Sequence, residues 1–292
     1  MSNGAKVIGI LSIKGGVGKT SCTANIGAAI AHDFGKKVLL IDTNYSAPNL
    51  GFHVGLLEPE STIHDVLADK VDINDAVHTI SENLDVIAAS LLGGEIQPFK
   101  LKKKLHGLKD KYDYILLDSS PNLNNEMIST MVASDDLYVV TSPDYPTLST
   151  TMRAVKLAAE RNAEIKGLIL NRVHGKKFEL GIEDIEDAAG VPVIAVLPED
   201  IKVLAALSAT TPVSLQSPTS KAAIEFRRLA AFITGDRFED PRLLHRVKRA
   251  FGIGRTKDVP KHEVNKLLLK NKEKAASSAA RASEDSREHR IL

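Results

Sequence analysis

The chain has 292 residues, 43% of them apolar and 26% charged, enough to bury one large core or two small ones. Its single cysteine, Cys22, excludes an internal disulfide and, within one chain, a thiolate zinc or iron–sulfur ligand set. The net charge of +1 conceals an asymmetry, because residues 1–235 carry 23 Lys and Arg against 28 Asp and Glu, whereas residues 236–292 carry 15 against 9. No apolar run reaches the roughly 18 residues of a membrane span, and the opening MSNGAKVIGILSIKGG lacks the basic, apolar and small-residue order of a secretory signal. The chain is therefore expected in the cytoplasm, with any membrane association peripheral.

In chain order, short apolar runs alternate with helical patterns. Strands are predicted at Val7 to Leu11, Val38 to Ile41, Leu84 to Ala88, Tyr114 to Leu117, Leu137 to Thr141, Gly167 to Leu170 and Val193 to Leu197. Helices are predicted at Thr20 to His32, Phe99 to Lys111, Leu148 to Asn162, Ile182 to Ala189 and Ser220 to Ile233. Near-continuous apolarity in the strands means that both sheet faces are covered, which crossover helices between parallel strands achieve. The expected class is α/β, with a mostly parallel central sheet and helices on both faces. One domain spans residues 1–235. A basic amphipathic helix follows in 236–255, and a Lys-, Ala-, Ser- and Glu-rich tail in 256–292, whose distal part lacks the apolar density that offsets chain entropy.

The chemistry is concentrated in Ser12 to Ser21, SIKGGVGKTS, between the first strand and the first helix. Gly15, Gly16 and Gly18 let the loop's N–H groups, including that of Val17, turn inward around phosphate oxygens. The helix start at Thr20 and Ser21 favours negative charge, Lys19 can span β- and γ-phosphates, and the Thr20 hydroxyl can ligate Mg²⁺. Asp42 and Asp118 each end a buried strand, where ligands bind in open parallel sheets, and both can hold Mg²⁺ through water.

With Lys14 as a second lysine in the loop, the segment resembles the deviant Walker A group that includes the MinD and ParA ATPases. The resemblance runs through residues 5–234. Asp42 matches the first switch, Asp118 in YDYILLDSSP the Walker B aspartate and second switch, and Asn171 with Arg172 in LILNRV the adenine-contacting position. Pro198, Glu199 and Asp200 match the loop that borders the base, and Thr62 to Val77 is similar to archaeal-type MinD-like proteins. The resemblance implies ATP and Mg²⁺ as cofactors, with Thr20, Asp42 and Asp118 at the metal. It implies an ATP-dependent homodimer in which Lys14 reaches the partner's phosphates, and hydrolysis served by Lys14, Lys19, Asp42 and residue 44. The family usually has a second aspartate where this chain has Asn44, so turnover is expected to be slow. The second switch, Asp118-Ser119-Ser120-Pro121-Asn122, also departs from the usual pattern.

Beyond the ATPase domain, Leu243, Leu244, Val247, Ala250 and Phe251 share one face of a helix predicted over Pro241 to Phe251, with Arg242, His245, Arg246, Lys248 and Arg249 opposite. This resembles a MinD membrane-targeting helix and points to an anionic membrane surface. The expected function is a switch that positions proteins, at the division site or elsewhere, through a regulatory or cargo protein whose identity the residues do not give. The alternatives are a ParA-like partition ATPase that grips DNA and an ATP-binding scaffold with little hydrolysis. The basic run Lys100 to Lys109 reads as the solvated face of a helix whose leucines point inward, and the nine histidines show no zinc spacing.

Overall fold

The computed structural model describes residues 4–94 and 96–240. Its centre is an eight-stranded sheet of β1 (Lys6–Leu11), β2 (Val38–Thr43), β3 (His78–Ser81), β4 (Leu84–Ile87), β5 (Tyr114–Ser119), β6 (Asp136–Thr141), β7 (Ile165–Val173) and β8 (Val193–Pro198). The strand order is β3-β4-β2-β5-β1-β6-β7-β8. All neighbours run parallel except β3, which pairs antiparallel with β4 at the edge. The expected parallel α/β sheet is present, and β3 adds to it. Its His-Thr-Ile-Ser sequence is half-exposed and carries no apolar run, so it left no signal.

The helices are α1 (Lys19–Phe34), α2 (Leu50–Val54), α3 (Ile63–Leu67), α4 (Leu101–Lys104), α5 (Asn125–Ala133), α6 (Tyr145–Ala159), α7 (Ile182–Ala189), α8 (Ile201–Ser208), α9 (Val213–Gln216) and α10 (Lys221–Thr234). On one face α1 lies over β1, β2 and β5 and α10 packs beside it against β8, with Ala24, Ala28, Ala223, Phe226 and Ala230 in the same core as Ile8, Leu40 and Leu197. Close approach explains Gly27, because a Cβ there would stand 2.4 Å from Leu40 Cδ2. On the other face, α3 and α4 cover Leu39, Ile41 and Leu117, while α5, α6 and α7 cover Leu11, Val139 and Leu168. Ser220 caps α10, its hydroxyl accepting from the Ala223 N–H, and Gly235 ends it in the left-handed conformation.

The single helix expected at Phe99 to Lys111 is instead a 3₁₀ turn at Pro98–Lys100, the short α4, and a second 3₁₀ turn at Leu105–Leu108. Gly107 and consecutive lysines weaken the α-form, yet Leu101, Leu105 and Leu108 are buried as the spacing required. The helix expected at Pro241 to Phe251 and the tail to Leu292 lie outside the described residues. No helix among the described residues is long and apolar enough to cross a membrane.

Candidate functional site: a glycine loop between two lysine–aspartate pairs

The strands β1, β2, β5, β7 and β8 end at one rim of the sheet, and every candidate residue sits there. Between β1 and α1 the chain turns through Gly16 and Gly18, with φ of 79° and 89°. These left-handed values are cheap only for glycine. The positions where Gly15 and Gly16 would carry a Cβ open onto free space, which leaves the loop's backbone accessible. Gly18 is the N-cap of α1, and a Cβ there would lie 2.3 Å from Asn171 Nδ2. That closeness has a purpose, since the Asn171 amide donates to Val17 O at 2.7 Å and braces the loop from β7. The first turn of α1 contains no acidic side chain of its own to offset the positive potential of its N-terminal N–H groups.

Below the loop the Asp118 carboxylate is fully buried and receives Lys19 Nζ at 2.7 Å, Thr20 Oγ1 at 2.7 Å and Thr23 Oγ1 at 3.0 Å. A carboxylate in this position requires such a set, because an unpaired buried charge is prohibitive. Thr43 Oγ1 donates to the Asp118 carbonyl at 2.9 Å, joining β2 to β5. Cys22, buried on α1, has its thiol pushed up by burial and by the charge of Asp118.

Asp42 faces Asp118 across the β2–β5 register. Its oxygens accept the backbone N–H groups of Asn44 at 3.0 Å, Asn49 at 2.9 Å and Leu50 at 3.0 Å, which orders the loop leading to α2. Burial, and then the neighbouring charge of Asp118, pushes its carboxyl up to about 7. Asn44 is buried in the same loop. Its Nδ2 donates to Ala47 O, and its Oδ1 has no hydrogen-bond partner.

Lys14 engages a different carboxylate from Lys19. Its ammonium donates to Asp144 Oδ1 at 3.2 Å and Thr147 Oγ1 at 2.7 Å, at the start of α6. Asp144 is the N-cap of α6 and also accepts from Ser142 and the Thr147 N–H. Burial pushes its carboxyl up, but the bonds from Ser142, Thr147 and Lys14 outweigh that and hold it at about 2.

On the β7–β8 side, Arg172 is exposed with φ of 58°, and the Glu199 N–H donates to Val173 O at 3.0 Å beside Pro198. Asp200 is committed to helix ends, accepting from Lys202 N at 3.0 Å and Ala222 N at 3.2 Å. Ser21 lends its carbonyl to Asn25 Nδ2 at 2.8 Å. The residues drawn together by the sequence thus share one rim. Sequence reasoning missed Thr23, Asp144 and Thr147. Asp144 and Thr147 carry a helix-start signal in SPDYPT, but nothing local ties them to a lysine about 130 positions earlier.

The open glycine loop, the helix N-terminus, Lys19 and the Thr20–Asp118 pair fit a nucleoside triphosphate with Mg²⁺, which places the chain in the class of P-loop nucleotide-binding domains. Residues 5–166 match the AAA domain family. An uncharacterized ATP-binding protein of Methanocaldococcus jannaschii is 34% identical over 238 residues, covering 80% of this chain and 90% of its own. The sporulation initiation inhibitor protein Soj of Bacillus subtilis is 32% identical over 246 residues, covering 77% and 96%. The solved structure of the septum site-determining protein MinD from Pyrococcus horikoshii, complexed with Mg-ADP, is 31% identical with a TM-score of 0.74, covering 78% and 96%. The chain belongs to the MinD/ParA family of P-loop ATPases. The cofactors of that family are ATP and Mg²⁺, and the donor set here suits both.

Proposed function

We propose that the protein is a MinD-like, ATP-dependent dimerisation switch that hydrolyses ATP to ADP and phosphate and acts in spatial positioning at a membrane surface. The observation that carries this reading is the separation of the two loop lysines. Lys19 lies on Asp118 at 2.7 Å and is buried, whereas Lys14 is half-exposed and held 3.2 Å from Asp144 at the start of α6. A loop lysine engaged apart from Asp118 supports a role toward the phosphates of a second copy.

In this reading Gly15, Gly16, Val17, Gly18, Lys19, Thr20 and Ser21 cradle the phosphates, and Asn171, Arg172, Pro198, Glu199 and Asp200 border the base. Thr20 and Asp118, with Asp42 on the neighbouring strand, would hold Mg²⁺, which neutralises charge on the β- and γ-phosphates. Lys19 leaves Asp118 for the phosphates, and Lys14 leaves Asp144 for those of the partner, so that nucleotide binding is coupled to assembly. Asn44 orients the water without adding charge. Residues 1–235 form the ATPase domain, and 236–255 supply the basic helix. Two copies of Pro241 to Phe251 in a dimer attach where one is too weak, the second binding at high effective concentration. The tail 256–292 continues beyond it.

Co-sedimentation with anionic phospholipid vesicles, alongside phosphate release, tests the reading. The expected result is vesicle binding that requires ATP and is lost on Leu244→Glu or truncation after Asp240. A salt-sensitive shift of duplex DNA without vesicle binding would replace it with a ParA-like role, and ATP binding without phosphate release with a scaffold.

A further inference from the structure

The buried acceptors of the first-switch loop point beyond Asn44. We propose that Glu126 supplies the carboxylate that position 44 lacks and orients the attacking water together with Asn44, an inference that rests on the hydrolytic reading above.

Glu126 opens α5, directly after the second-switch segment Asp118 to Asn122, and is buried. Its Oε1 accepts from Ser46 Oγ, two residues beyond Asn44 in the loop that the Asn44–Ala47 bond closes. A second rung pins the same two elements, since Thr43 Oγ1 and Thr130 Oγ1 are 2.9 Å apart. The first-switch loop and the N-terminal turns of α5 are thereby held as one unit.

Within that unit the buried acceptors Asn44 Oδ1 and Glu126 Oε2 have no donor, and the buried Tyr45 hydroxyl between Asn44 and Ser46 has no hydrogen-bond partner either. Unsatisfied buried acceptors are costly and rare in folded proteins. A single water offers two O–H donors, and a water that donates to both acceptors turns its lone pairs away from them. The position beside the two switches then suits attack on a γ-phosphate. The water oxygen bonds to γ-phosphorus, the bond from phosphorus to the bridging oxygen breaks, and its electron pair remains on ADP. One water proton stays on the inorganic phosphate, and the other leaves through the Glu126 carboxylate to solvent. An amide at position 44 can orient that water but cannot take its proton, which is the part a carboxylate adds.

The test compares ATP hydrolysis and fluorescent-ATP affinity of the full chain with those of Glu126→Gln, which can still accept from Ser46 but has no negative charge. Hydrolysis is expected to fall at least about tenfold with affinity unchanged, the lower end of what general-base assistance supplies. Asn44→Asp in the Glu126→Gln chain should restore most of it. Wild-type hydrolysis by Glu126→Gln would overturn the proposal. Ser46→Ala provides a second route should Glu126→Gln not fold. Hydrolysis near the wild-type rate supports an action on water, whereas a fall of about tenfold or more shows that Glu126 acts only through the tie and overturns the proposal. Absence of hydrolysis in the wild type itself would instead remove the ATPase reading, and this inference with it.

Discussion

Lys14 and Asp144, 130 residues apart in the chain, meet at 3.2 Å, so that the loop lysine not engaged with Asp118 is held by the cap of α6. Both side chains are 41% exposed, and a pair so placed stabilises by only about 0.5–1 kcal/mol. In the proposed function it is a weak latch for a partner's phosphates to open.

Asp144→Asn should loosen that latch while keeping the cap, because an asparagine oxygen still accepts the Thr147 N–H. The ATP concentration that half-saturates dimerisation is expected to fall by about two- to fivefold, the equilibrium equivalent of losing such a pair. Light scattering against ATP concentration reads this directly. An unchanged midpoint would show that the pair does not restrain Lys14.

The second pair is of another kind. Lys19 and Asp118 are 6% and 0% exposed, and removing one member leaves a buried charge. Lys19→Ala should lower the unfolding free energy of the nucleotide-free protein by about 3 kcal/mol, measured by urea denaturation. Asp118→Asn in the same chain should recover most of that loss, since Thr20 and Thr23 bond different oxygens of Asp118, so that one can still donate to the amide oxygen while the other accepts from the amide nitrogen.

Asp42 predicts an unusual pH dependence. Its carboxyl is pushed from an ordinary 3.8 up to about 7, so between those values the folded chain holds a proton that the unfolded chain has lost. The sign is therefore opposite to that of a salt-bridged carboxylate. The contribution of Asp42 to stability is fullest below pH 4 and declines as pH rises to about 7. Asp42→Asn cannot ionise, and the stability difference between it and the wild type should shift in favour of the variant across that window. A difference that does not change with pH would contradict this.

Much of this site was legible from residue order. Ser12 to Ser21 carried its own chemistry, and Asp42, Asp118 and Asn171 followed apolar runs whose ends mark the rim of a parallel sheet. The helices α5 and α8 were not read, although Asn124 and Asp200 cap them. The Asn-rich approach to α5 and the Ala-rich face of α8 give weak periodicity, and most of α8 is exposed. The partners of Lys14 and the Ser46–Glu126 tie were invisible for a different reason. They depend on register between strands and on loop conformation, which no local pattern encodes. Asn44 was noticed as a substitution, but the acid that accompanies it lies 82 positions further along the chain and emerged only from burial.

The central claim, that ATP drives two copies together through Lys14, is tested most directly by sedimentation velocity of the full chain with Mg²⁺ and ATP. The wild type should shift from monomer to dimer with ATP and not with ADP, and Lys14→Ala should bind ATP yet remain a monomer. A Lys14→Ala chain that dimerises with ATP as the wild type does would contradict the account.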